Sequence, residues 1–264
     1  DKDGQNDVVM VGLPGTPAFV FRNPGPEALK DGKPWKRHQV ADSIGNESPN
    51  FIQLVGDETP ELVCTVGGRF GFLTVDSQQP LGKWQFHMIS ERPTADRFGH
   101  GLGVGDVNGD SRLDILSPEG WYEQPQKDAS VARWPFHGAR FTSAYGGAEM
   151  YAYDVDGDGD NDVITSLAAH DFGLAWYEHQ VESGESVFRE HLIVGSQKHQ
   201  NKYGIVFSEP HSVALADIDG DGFIDWIDSQ SVMTMLRTER IQYLIREDPN
   251  SIPEFALLTP EYID

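Results

Sequence analysis

The stretch Asp154-Val155-Asp156-Gly157-Asp158-Gly159-Asp160-Asn161-Asp162 decides how the chain is read, because it returns. Asp106-Val107-Asn108-Gly109-Asp110-Ser111-Arg112-Leu113-Asp114 aligns with it without a gap, and so does Asp217-Ile218-Asp219-Gly220-Asp221-Gly222-Phe223-Ile224-Asp225. Residues 53–61 keep the frame through Gly56, Asp57 and Glu61 but carry Gln53 and Val55 where the others have Asp or Asn. At the start of the chain, Asp1, Asp3 and Asp7 fit positions three, five and nine of the same nonamer. On that reading the sequence begins inside a repeat unit and is a fragment. The nonamers end at residues 7, 61, 114, 162 and 225, a period of about 50 residues that belongs to repeat architectures.

Other motifs move in step with the nonamer. An apolar run such as 101–105 leads into it, and an apolar pair follows: Val8-Val9, Ile115-Leu116 or Val163-Ile164. A glycine turn comes next, then an aromatic segment such as Trp121-Tyr122-Glu123 or Trp176-Tyr177-Glu178. Each unit closes on Trp-x-x-His (Trp35 to His38, Trp84 to His87, Trp134 to His137) or its variant Phe188 to His191. Short runs bounded by Gly, Pro, Asn and Asp carry the signal, and no long 3.6-residue period competes. Four antiparallel strands per unit predict an all-β chain of four-stranded propeller blades, about four to five of them within residues 1–228.

Composition narrows the partners. With 42 Asp+Glu against 20 Lys+Arg and a net charge of −22, the surface is unsuited to nucleic acid. It is equally unsuited to an anionic membrane surface. No window approaches the ~20 apolar residues of a membrane span, so no membrane insertion is expected. Six Trp, eight Tyr and 14 Phe are too many for a disordered acidic chain. The single Cys64 excludes an intramolecular disulfide framework and any cysteine-based zinc site, and it reads as an inert buried thiol.

The nonamers gather hard oxygens around one point, which is what Ca²⁺ requires. The candidate ligands are Asp106, Asn108, Asp110 and Asp114; Asp154, Asp156, Asp158 and Asp162; Asp217, Asp219, Asp221 and Asp225; and, at the start, Asp1, Asp3 and Asp7. An EF-hand would need Glu at position twelve and flanking helices; Ser117, Thr165 and Asp228 stand there instead. The competing reading is a polar hairpin without metal, and the loop at Gln53 has lost two of its ligands.

These nonamers, with Phe98-Gly99 ahead of one of them, resemble FG-GAP/VCBS-type repeats, the calcium-loop propeller units also found in integrin α heads. The resemblance covers residues 1 to about 228. It implies seven blades, with the Ca²⁺ hairpin joining the first and second strands of each. Together with Trp-Tyr-Glu-Gln-Pro at Trp121–Pro125 and with Trp-x-x-His, the chain is similar to secreted bacterial propellers and, more loosely, to the propeller of aldos-2-ulose dehydratase. That implies an extracellular or periplasmic setting.

If the acidic loop marks one rim of a blade, the residues starting each first strand lie at the opposite rim. Six residues before each nonamer stand Glu47, His100, Ala148 and His211, with Glu149 beside the small Ala148. The turns between second and third strands add Arg69, Glu119, His170 and Asp171. The long connection at 195–210 brings Lys198 and Tyr203 to the same face, and a loop of that length in a compact domain is functional or disordered. His100, Glu149, His170 and His211 are thus the candidate catalytic set, and Glu47, Arg69, Glu119, Asp171, Lys198 and Tyr203 the candidate ligand-binding set. The bland alternative is a row of hydrogen-bonded channel liners. The Trp-x-x-His residues recur in every unit and read as scaffold.

Two functions fit. One is a calcium-stabilised module that binds a carbohydrate or a cell-surface partner. The other is a lyase or dehydratase acting on a keto-sugar, in which His or Glu takes a proton next to a carbonyl. The tail, 229–264, lacks both the aromatic segment and Trp-x-x-His. It reads as a closing segment or as the product of a shifted frame, leaving the last blade incomplete.

Overall fold

In the computed structural model the described residues are 3–30, 32, 34–56, 59–91, 98–130, 133–143, 146–201 and 204–217, together with the backbone of strands 225–230, 241–246 and 255–258. They are all-β apart from a four-residue helix, Pro26–Leu29, and a single 3₁₀ turn, Lys198–Gln200. Among the described residues no helix is long and apolar enough to cross a membrane. The chain divides into two compact units, Asp1–Gly99 with Pro125–Trp134, and His100–Gln124 with Pro135–Asp264.

The first unit holds two antiparallel meanders in sequence order. One is β1 (Val8–Val11), β2 (Thr16–Arg22) and β3 (Lys36–Ile44); the other is β4 (Asn50–Ile52), β5 (Glu61–Val66), β6 (Arg69–Thr74) and β7 (Gln85–Met88). Their apolar residues meet in one core: Ala18, Val20, Val40 and Ile44 pack with Leu62, Cys64, Leu73 and Trp84. Cys64 is fully buried, and burial pushes its thiol far up, so it is inert as the sequence suggested.

In the second unit β8 (Leu102–Gly105), β9 (Asp114–Ser117), β10 (Gly120–Tyr122) and β11 (Phe136–Gly138) form one meander. The next consists of β12 (Glu149–Tyr153), β13 (Asp162–Ser166), β14 (Leu174–Glu182) and β15 (Glu185–Val194). Separate four-stranded sheets were expected here, but the two fuse into one eight-stranded sheet because their first strands pair in parallel, Glu149 with Leu102 and Met150 with Gly103. Gly103 permits it: a Cβ there would run into the Met150 carbonyl.

Strand alternation buries both faces of the β12–β15 meander. Val163, Ala175 and Tyr177 go to one side, where they meet Val107, Leu116, Trp121 and Phe141. Ile164, Leu174 and Trp176 go to the other, with Val194, Phe207 and Val213. The last meander is β16 (Pro210–Ala216), β17 (Asp225–Gln230), β18 (Ile241–Arg246) and β19 (Phe255–Leu258). The expectation of an incomplete last unit is corrected here: the tail supplies two strands, and Ile241-Gln242-Tyr243-Leu244-Ile245 has the β-branched and aromatic content for one.

Three of the four histidines of the Trp-x-x-His set have the same local job, and His38, whose buried Nε2 has no hydrogen-bond partner among the described residues, is the exception. His87 stacks on Phe72, His137 on Trp121 and His191 on Trp176, always on the neighbouring strand. In each of the three, Nε2 then meets the residue two places beyond that aromatic: Thr74 at 2.8 Å, Glu123 at 2.8 Å and Glu178 at 2.7 Å. This is scaffold, repeated three times.

Candidate metal centre

Three histidines converge in the second unit. His100 precedes β8, His170 sits in the turn between β13 and β14, and His211 is the second residue of β16. His100 is buried, His211 half-buried and His170 exposed. One ring nitrogen from each lies within 4.8 Å of the others. The rings stand edge-on to one another, with centroids 4.4 to 5.2 Å apart and interplanar angles of 73° to 88°. His100 Nε2 and His170 Nε2 are 3.0 Å apart, within hydrogen-bonding distance. Burial, and then the neighbouring His211 and His170, lower the pKa of His100 to about 4. It is therefore neutral with a lone pair to offer.

Local structure aims the rings. Ala148, at the register position equivalent to His100 and His211, is small and fully buried. The turn carrying His170 is closed by Leu167 N–H on the Gly173 carbonyl at 2.8 Å, and Ala169 N–H holds the Gly146 carbonyl at 3.1 Å. Gly146, at φ 77°, backs directly onto the His100 carbonyl, where a Cβ has no room. His211 Nδ1 faces the Glu209 carbonyl at 3.3 Å, which fixes the tautomer that leaves Nε2 free.

The remaining sequence-predicted residues go elsewhere. Glu149 does not join the imidazoles: its Oε2 accepts Val213 N–H at 2.9 Å, while Tyr151 Oη donates to the Val213 carbonyl at 2.7 Å. These bonds stitch β12 to β16. Asp171 is exposed beside His170, and its carbonyl accepts Glu209 N–H at 2.7 Å. Glu119 is exposed in the β9–β10 turn, and Lys198 is exposed in the 3₁₀ turn. Glu47 and Arg69 belong to the first unit. Tyr203 lies outside the described residues. The Asn46-Glu47-Ser48 triplet has its asparagine buried, with Oδ1 accepting Thr65 N–H at 2.8 Å, so it is a structural residue. Sequence reasoning missed Ser166 and Glu209, whose parts emerge only from the tertiary contacts.

Among the acidic loops, 154–162 gathers Asp154, Asp156 and Asp162 within ligating reach. Burial and the crowding of like charges raise the carboxyls of Asp156, Asp160 and Asp162, the last to about 7. Asp154, Asp156 and Asp162 could hold a hard cation such as Ca²⁺ between them. Loop 106–114 differs. Asp110 is paired with Arg112; the first aspartate accepts loop N–H groups in both loops, Asp106 from Asp110 and Ser111 and Asp154 from Gly157 and Gly159. Asp3 pairs with Arg22 at 3.3 Å. Asp1, Asp219 and Asp221 lie outside the described residues, as does the side chain of Asp225; Asp217 is exposed.

Position nine also has a role that ligand counting missed. Asp114 accepts Val107 N–H and Gln124 N–H, each at 2.9 Å; Asp162 accepts Val155 N–H at 2.9 Å and His179 N–H at 2.8 Å. Glu61 accepts Leu54 N–H at 2.8 Å, and Asp7 accepts Asn23 N–H at 2.8 Å. The carboxylate is a bracket that ties each loop to its own meander.

No family model matches the chain, and no curated protein does. Among solved structures, the V. cholerae biofilm matrix protein Bap1 superposes on 96% of this chain at 15% identity with a TM-score of 0.40; the chain spans 36% of that protein's length.

Proposed function

We propose that the chain is a run of calcium-stabilised β-propeller blades, exported to an extracellular or periplasmic setting, that uses a three-histidine metal centre to bind an oxygen-rich ligand of the carbohydrate class. The propeller reading draws on meanders in sequence order, parallel first strands and a meander buried on both faces. The function rests on one observation, the convergence of His100, His170 and His211.

Three imidazoles without a thiolate suit Zn²⁺, Cu²⁺, Ni²⁺ or Fe²⁺ rather than Ca²⁺. At metal–nitrogen distances of ~2.0–2.1 Å, a tetrahedral ion holds two ligating nitrogens ~3.4 Å apart. The His100–His170 nitrogens, 3.0 Å apart, would separate by a few tenths of an ångström to admit it. His100, His170 and His211 would hold the ion, and exposed His170 keeps its outer side open to ligand. A bound ion supplies Lewis acidity toward a hydroxyl or carbonyl oxygen.

Binding is favoured over chemistry because Glu149, the expected base, is committed to Val213 N–H. The open outer side favours the second reading, a lyase acting on a keto-sugar, since catalytic metal sites keep a free position.

The test is a titration of chelator-treated protein with Co²⁺, followed by a glycan array and a keto-sugar turnover assay. A one-to-one visible absorption band that His100→Ala and His211→Ala each abolish is the expected result. Absence of the band in the wild type would sink the metal reading, and a band without any saccharide binding or turnover would sink the ligand class.

A further inference from the structure

Ser166 is the last residue of β13 and is wholly buried. Its Oγ accepts Ala148 N–H at 2.7 Å and donates to the Pro210 carbonyl at 3.0 Å. That single hydroxyl joins two of the histidine-bearing segments, those of His170 and His211, to Ala148. The turn carrying His170 begins with the next residue. Pro210 immediately precedes His211. On the Ala148 side, Gly147 is packed on the Ser166 carbonyl and Gly146 on the His100 carbonyl.

A second feature depends on this hub. Glu209 has φ 62°, in the left-handed region, although it is neither glycine nor asparagine and stands before a proline. Such a residue keeps that conformation only when its surroundings over-determine it. They do so here from both sides. Glu209 N–H is tied to the Asp171 carbonyl at 2.7 Å, and the following Pro210 carbonyl is held by Ser166. The resulting turn presents the Glu209 carbonyl to His211 Nδ1. Asp171 is the neighbour of His170, so the same turn spaces His211 from His170.

We infer that Ser166 is the positioning residue of the three-histidine centre: by pinning Pro210 it holds Glu209 in its strained turn and thereby fixes the tautomer and placement of His211. The inference rests on the metal reading above, and it extends that reading from the ligands to what aims them. Outer partners of this kind are worth about 10–100-fold in metal affinity.

The experiment uses the full chain in four forms: wild type, Ser166→Ala, Ser166→Thr and Ser117→Ala. Ser117 ends β9 and is buried, but its Oγ donates only to the Gly120 carbonyl at 2.9 Å within its own turn. It therefore reports the generic cost of losing a strand-end hydroxyl. Each form is titrated with Co²⁺ well below its melting temperature, and side-chain ¹⁵N spectra of the histidines are recorded without metal. Ser166→Ala should lose about 10–100-fold in Co²⁺ affinity, and Ser166→Thr and Ser117→Ala should stay close to wild type. Without metal, the Nδ1–H signature of His211 should be present in the wild type and lost in Ser166→Ala. If Ser166→Ala does not fold, Ser166→Cys, whose thiol is a weak hydrogen-bonding group, is read in the same two ways. Unchanged Co²⁺ affinity and an unchanged His211 signature in the Ser166 variants would overturn the inference, whatever happens to the melting temperature. A wild type that binds no Co²⁺ overturns the metal reading; the tautomer measurement then decides by itself whether Ser166 positions His211.

Discussion

His100 carries a consequence that can be read without any metal. Its folded-state pKa, about 4, lies below the ordinary histidine value of 6.5 because the ring is buried beside two other imidazoles. The folded state therefore binds fewer protons than the unfolded one between those values. The associated stability is present above about pH 6.5 and is lost as the pH falls toward 4, amounting to about 3 kcal/mol. Asp114 and Asp162, raised from 3.8 to about 7 chiefly by burial, act with the opposite sign across the whole of that range, so the informative quantity is a difference. In metal-free protein, the melting temperature of His100→Asn should gain on that of the wild type as the pH falls from 6.5 to 4. Parallel curves would mean that His100 is solvated. The trio was legible because repeat register places His100 and His211 at the start of equivalent strands and His170 in a neighbouring turn. Glu149, one place past the equivalent position at Ala148, was read into the same set, yet it is spent on a strand seam. Ser166 and Glu209 gave no sequence signal, since hydroxyls at strand ends and Glu-Pro pairs are ordinary until a third segment arrives to use them.

At the scale of the element, the nonamer is first of all a folding device. Its ninth residue is buried and fills its carboxylate oxygens with backbone N–H groups from the loop and from the third strand, as Asp114 and Asp162 do. Glu61 keeps half of that bracket in a loop that has lost the acids of positions one and three to Gln53 and Val55, so bracket and ligand are separable roles. An amide in place of the carboxylate leaves one donor facing another across a buried contact, at a cost of about 1–3 kcal/mol. Asp114→Asn and Asp162→Asn should each lower the melting temperature measured in excess chelator, when no metal ligand can be at stake. If both variants melt with the wild type under chelation, the bracket is idle and position nine serves the ion alone. Strand order within each unit was readable because turn residues and apolar pairs mark strand ends locally. The fusion of two meanders through β8 and β12 was not, because parallel pairing depends on which backbones can approach, and that is decided by Gly103.

Across the whole molecule, negative charge has to be reconciled with packing. A net charge of −22 destabilises a compact state through self-repulsion unless cations or ion pairs absorb part of it. The two described loops of the second unit do this differently. In 106–114 an internal cation, Arg112, sits on Asp110 and bonds the Gln124 carbonyl at 2.9 Å, so the loop supplies part of its own counter-charge. In 154–162 there is no such arginine, and the carboxyls of Asp156, Asp160 and Asp162 are all raised. The loops are also joined, since Asn161 Nδ2 donates to the Asp106 carbonyl at 2.7 Å. Calcium dependence should therefore concentrate in the second loop. Ca²⁺ at a hundredfold excess over its Kd adds about 2.7 kcal/mol for a single site. The double change Asp154→Asn with Asp156→Asn should remove most of the rise in melting temperature on adding Ca²⁺. Asp106→Asn with Asp110→Asn should leave most of that rise in place and lower the calcium-free melting temperature, by stranding Arg112. Equal losses of the calcium effect from the two pairs would mean that Arg112 yields to the ion and that the loops are equivalent sites.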